Sequence, residues 1–84
     1  MGDQIESVPP LFIKDQDIGD KQVTPFQMCQ AITRIIGASK VEGVQKINNL
    51  WRLYVKDRGS RVQLFLKKSI LINAQYIPLY EQNP

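Results

Sequence analysis

The run Leu50-Trp51-Arg52-Leu53-Tyr54-Val55-Lys56 constrains this chain more than any other segment. Aromatic and β-branched residues dominate it, and its side chains alternate with the period of a strand. Trp51, Leu53 and Val55 fall on one face, and Arg52, Tyr54 and Lys56 on the other. Burying the apolar set requires cover on that face and leaves the opposite face open. A chain of 84 residues has room for one small domain, and its 43% hydrophobic content suffices for one core.

The clearest helix signal is Thr24-Pro25-Phe26-Gln27. Thr24 can accept hydrogen bonds from orphan N–H groups, Pro25 suits the first helical position, and Gln27 completes a capping box. Val23 can staple back onto the first turn. Met28, Ile32, Ile35 and Ile36 form a stripe at helical spacing, with Cys29 beside it as a small core filler. Gly37 supplies a left-handed stop, so a helix is expected over 25–36.

Upstream, Pro9-Pro10 blocks helix, and Leu11-Phe12-Ile13 reads as a short strand. Val41–Ile47 reads as a strand with Gly43 as a weak point or bulge, closed onto Leu50–Lys56 by the turn pair Asn48-Asn49. Asp57 can cap a second helix running to about Lys68, with Val62, Phe65 and Leu66 on its apolar side. Leu64 interrupts that stripe, and an alternating strand over Val62, Leu64 and Leu66 stays open as an alternative. Residues 69–75 form a return segment. Tyr76–Tyr80 reads as a last strand with Ile77 and Leu79 inward, Tyr76 and Tyr80 outward, and Pro78 confining it to an edge.

The order strand, helix, strand, strand, helix, strand predicts an α+β, ferredoxin-like βαββαβ sandwich. Four antiparallel strands carry two helices on one face. The domain is expected over residues 9–82, with 1–8 as a flexible lead and 83–84 as an end. No apolar run approaches a membrane span, and no basic-then-apolar leader opens the chain. A cytoplasmic or nuclear protein without membrane attachment is the expectation.

The composition excludes much chemistry. There is no histidine and only one cysteine, so Ser-His and Cys-His nucleophiles, imidazole metal sites, zinc cages and internal disulfides are all absent. Asp15, Asp17 and Asp20 resemble a calcium loop only superficially. Gly19, Asp20 and Phe26 stand where an acid or amide, a glycine and a glutamate are needed. No catalytic residue, metal or cofactor is expected.

Charge is distributed unevenly. Asp3, Glu6, Asp15, Asp17 and Asp20 crowd the first residues, whereas Arg52, Lys56, Arg58, Arg61, Lys67 and Lys68 stand against Asp57 alone between 52 and 68. A basic second half suits a polyanion, and from charge alone a solvated helix face stays open as the alternative. On the expected open face Phe12 and Tyr54 lie side by side, able to stack on splayed bases. Arg52, Lys14 and Lys56 are there to meet the phosphates. Arg58, Arg61, Lys67 and Lys68 form a second basic patch on the second helix.

Leu11-Phe12-Ile13 resembles the short ribonucleoprotein motif of RNA-recognition-motif (RRM) domains, and Arg52-Leu53-Tyr54-Val55 resembles the middle of the longer one. In that alignment Tyr54 matches the second aromatic and Val55 the buried valine. Arg52 replaces the first aromatic, Leu53 the small residue and Asp57 the last aromatic. A narrower resemblance spans Gly43 to Asn83. Leu50 to Asp57, Ser60-Arg61 and Glu81-Gln82-Asn83-Pro84 look like the RRM-like domain of gag-like, first-frame proteins of retrotransposons, including the TX1 type of LINE element, and of cellular CCHC zinc-knuckle proteins. The resemblance implies a domain that precedes zinc knuckles and helps package nucleic acid. Single-stranded nucleic acid, RNA ahead of DNA, is therefore the expected partner. The alternative is a protein-interaction or self-assembly module in which the chain ends or another protomer cover Phe12 and Tyr54.

Overall fold

The computed structural model describes residues 8–84. Its strands are β1 (Leu11–Lys14), β2 (Val41–Ile47), β3 (Leu50–Val55), β4 (Ser69–Ile72) and β5 (Gln75–Pro78), and its helices are α1 (Pro25–Ile36) and α2 (Arg58–Phe65). Residues 1–7 of the expected flexible lead lie outside the described residues, and Val8 packs against the core instead of fraying. The result is a small α+β fold of two helices and antiparallel sheets, compatible with a ferredoxin-like arrangement. No helix among the described residues is long and apolar enough to cross a membrane.

α1 follows its local signals. The Thr24 hydroxyl accepts from Gln27 N–H at 3.1 Å, and Gln27 Oε1 accepts from Thr24 N–H at 2.9 Å, which is the reciprocal capping box. Gly37 stops the helix with φ of 90° and ψ of 149°. Its φ is positive as glycine permits, but its ψ is extended rather than left-handed helical. Met28, Ala31, Ile32 and Ile36 are buried. Cys29 is half-buried beside that stripe and faces Phe26, Gln30, Thr33 and Arg34, so it is no core filler.

β1, β3 and β2 form one sheet in that order, with β3 central. Asn48 and Asn49 take φ of 51° and 63°, the pair of positive values that a two-residue hairpin turn needs. The register slips between Val41 and Gly43, as a bulge requires. Leu11, Ile13, Trp51, Leu53 and Val55 join the helices in one core with Met28, Ile32 and Leu64.

Two elements depart from expectation. α2 ends at Phe65, and its buried residues are Ser60 and Leu64. Val62 and Leu66, read as its apolar side, are 57% and 70% exposed. Asp57 caps the helix by accepting from Ser60 N–H at 2.7 Å, and Ser60 and Leu64, one turn apart, form the face that packs inward.

The last strand is also divided. Residues 69–75 are not a plain return segment: β4 and β5 close a local hairpin, with Asn73 and Ala74 at φ of 51° and 62°. The three-stranded sheet meets this end of the chain through one bridge only. Phe12 N–H donates to Tyr80 O, and Tyr80 N–H to Phe12 O, each at 2.8 Å. The hairpin satisfies the backbone of Gln75–Pro78 locally, and Pro78 has no N–H to extend a ladder.

Candidate functional site

The face of the sheet turned away from the core carries a cross-strand row. The register sets Phe12 opposite both Arg52 and Tyr80, and Arg52 opposite Gln45. Side chains opposite one another in a ladder share a face, so Tyr80, Phe12, Arg52 and Gln45 lie in line across four strand segments. Lys14 and Tyr54 stand on the same face, each two residues along its own strand from the row.

Contacts tie the row together. The Arg52 guanidinium lies over the Phe12 ring, 5.9 Å from its centroid, and the Lys14 ammonium lies over the Tyr80 ring at 4.9 Å. Tyr54 OH donates to Gln45 Oε1 at 3.4 Å, and Tyr80 OH donates to Asp17 Oδ2 at 3.2 Å. Partial desolvation, followed by the Asp17 carboxylate, raises the Tyr80 hydroxyl pKa above the ordinary tyrosine value.

The expected residues fare unequally. Tyr54 and Arg52 are half-buried on this face, with Trp51, Leu53 and Val55 buried behind them, so the alternation in β3 holds. Phe12 is on the same face but only 9% exposed. It neighbours Arg52 rather than Tyr54, to which it is diagonal. Flanked by Arg52 on one side and Tyr80 on the other, Phe12 is a packing residue of the face, and it offers no open ring. Lys14 is half-buried. Lys56 lies just past the end of β3, exposed, with its N–H donated to Lys40 O at 2.9 Å.

The second basic patch is not a single surface. Arg61, with 15% of its side chain exposed, donates to Pro9 O at 2.8 Å, Pro10 O at 3.4 Å and Glu81 O at 2.9 Å. Lys68 lies over the Phe65 ring at 4.3 Å, while Arg58 and Lys67 are exposed. The acidic loop is structural as well. Asp15 Oδ1 accepts from Trp51 Nε1 at 3.1 Å, and Asp15 Oδ2 pairs with Lys46 at 3.3 Å. The described residues hold no cluster of three or more metal-ligating side chains.

Tyr80 and Gln45 are the members of the row that sequence reasoning left out of the site, and Tyr80 is the aromatic one. Its signal was present: the alternation Ile77, Leu79 inward sets Tyr80 outward. What hid it was the assumption that one continuous strand ran through Pro78. No known protein family, characterised protein or solved structure matches this chain.

Proposed function

We propose that this chain is a single-stranded nucleic-acid-binding module, RNA ahead of DNA, using the sheet face opposite its helices. One observation carries the reading: the rings of Tyr80 and Tyr54 and the cations of Arg52 and Lys14 share the sheet face turned away from the core, with Phe12 packed between Arg52 and Tyr80. Bases need a π-surface and phosphates need a cation, and bringing the two together at strand spacing suits a single strand. Tyr54 is the ring open enough to stack, and Tyr80 supports a second base beside Lys14. We also read the architecture as ferredoxin-like, with Tyr80 as the trace of a fourth strand beside β1. As part of a retrotransposon-derived, gag-like protein, such a module would help package the element's nucleic acid.

The test is titration with homopolymer RNAs at two or more salt concentrations. Lys14, Arg52 and Lys56 together should give log K against log salt a slope of about −2. Tyr54→Ala should remove about 1–3 kcal/mol with little change of slope, because it removes stacking and no charge. Unchanged affinity in Tyr54→Ala, with binding lost on neutralising Arg58, Lys67 and Lys68, moves the site to α2.

A second reading has its own observation. Phe26, Val62, Leu66 and Tyr76 are large apolar side chains left exposed, and Leu66, the residue that caps the C-terminus of α2, stands one turn beyond Val62. They favour a protein-interaction or self-assembly module. Absence of RNA binding at low salt, together with self-association in sedimentation, selects that reading.

A further inference from the structure

At one end of the sheet face the β2–β3 turn, the end of β1 and the last residues of the chain enclose an open recess of about 660 Å³. Lys14, Arg52, Asn48, Asn49, Asn83 and Pro84 line it. Its volume falls within the range of small-ligand sites, roughly 300–1,000 Å³.

Arg52 Nη1 is out of contact with solvent and has no hydrogen-bond partner among the described residues. A buried guanidinium N–H without an acceptor is uncommon in a folded protein and calls for a specific reason. No acid in the recess answers it, since both oxygens of Asp15, which also lines the recess, are engaged by Trp51 Nε1 and Lys46. Lys14 makes no ion pair among the described residues and rests its ammonium on the Tyr80 ring. Asn83 and Pro84 belong to no helix or strand, so this wall can shift without breaking a ladder.

We propose that the recess is a phosphate subsite in which a phosphodiester group of the bound strand accepts from the Arg52 guanidinium, with the Lys14 ammonium beside it. The proposal rests on the nucleic-acid reading above and adds the place where the backbone is gripped. A phosphate oxygen offers the charged acceptor that the Arg52 guanidinium lacks among the described residues, and the planar guanidinium fork matches phosphate geometry in a way an ammonium does not.

The experiment compares a short oligouridylate on the wild-type chain and on Arg52→Gln, Arg52→Lys and Tyr54→Ala, with folding checked by melting. Arg52→Gln should bind about tenfold or more weakly and flatten the salt slope by about 0.7. Arg52→Lys should restore the slope but recover only part of the affinity. If Arg52→Gln matches wild type in affinity and slope while Tyr54→Ala is weakened, the strand lies on the sheet and the recess holds no phosphate. If oligouridylate does not bind wild type even at low salt, the nucleic-acid reading falls. Inorganic pyrophosphate, followed through the Arg52 guanidinium ¹⁵N resonances of the wild-type chain, then decides the recess alone. Movement at millimolar pyrophosphate supports it, and unmoved resonances overturn it.

Discussion

At the scale of the residue, Trp51 does two jobs that pull on one side chain. It is 1% exposed at the centre of the core, yet its indole N–H reaches the 3₁₀ turn after β1 and donates to Asp15. A tryptophan can fill a core this way only if its polar edge finds a partner. Trp51→Ala should therefore cost about 3–5 kcal/mol. Domains this small hold only about 5–15 kcal/mol in total, so the cooperative melt should be severely weakened or lost. Trp51→Phe keeps most of the packing and loses the donor. Because Asp15 is partly exposed and also paired with Lys46, water can replace the indole there. The expected cost is about 1–2 kcal/mol by urea denaturation. An alanine variant that melts within a few degrees of wild type would place Trp51 outside the energetic core.

At the scale of the element, α2 buries Ser60 and Leu64 and leaves Leu66 outside. Leu64→Ala should cost about 2–5 kcal/mol, whereas Leu66→Ala should stay within about 0.5 kcal/mol, read from the same denaturation curves. Equal losses would mean the helix is rotated from the position in which Ser60 and Leu64 face the core. The cap also carries a pH signature. The Ser60 backbone N–H, then Lys40 at 3.1 Å, hold the Asp57 carboxyl below the usual aspartate range. A depressed carboxylate stabilises the fold above its unfolded pKa, and this contribution disappears as pH falls through the folded value. Asp57→Ala should thus melt lower than wild type near neutrality, with the gap closing below about pH 4. A gap that persists into stronger acid would leave the charge without a role. Elements with local codes were legible in the sequence: the Thr24 box, the Asn48-Asn49 turn and the alternation in β3. Two others lacked such a code. The β4–β5 hairpin uses Asn73-Ala74, and alanine is no signal for a residue at positive φ. On α2, the hydrophobic pattern pointed to Val62 and Leu66, and only the tertiary fit of Ser60 and Leu64 overrules it. The candidate site followed the same division. Strand period placed Arg52 and Tyr54, but burial of Phe12 and recruitment of Tyr80 depend on a single long-range bridge that local sequence does not encode.

At the scale of the whole molecule, that bridge consists of two backbone hydrogen bonds, and Arg61 closes the ends of the chain around it. From α2 the guanidinium reaches the carbonyls of Pro9 and Pro10, which lead into β1, and the carbonyl of Glu81, which follows Tyr80. It also stands 3.8 Å from the Glu81 carboxylate. One side chain thereby fixes both segments that must meet at Phe12 and Tyr80, and a rigid fork is needed to serve several carbonyls at once. Charge-assisted bonds of this kind are worth about 1.5–3 kcal/mol to a fold, so Arg61→Ala should destabilise it by about that amount. Arg61→Lys should recover little of it, since an ammonium reaches fewer of these acceptors. The more specific expectation concerns where the molecule opens. In native-state hydrogen exchange the Phe12 and Tyr80 amides should lose protection in Arg61→Ala before those of β3, because their bridge opens locally once the ends are released. Exposure of the Phe12 ring would accompany that opening and change how the face presents itself to a strand. If the Phe12 and Tyr80 amides exchange in Arg61→Ala only together with the amides of β3, the bridge stands on the sheet alone and the clamp has no part in holding it.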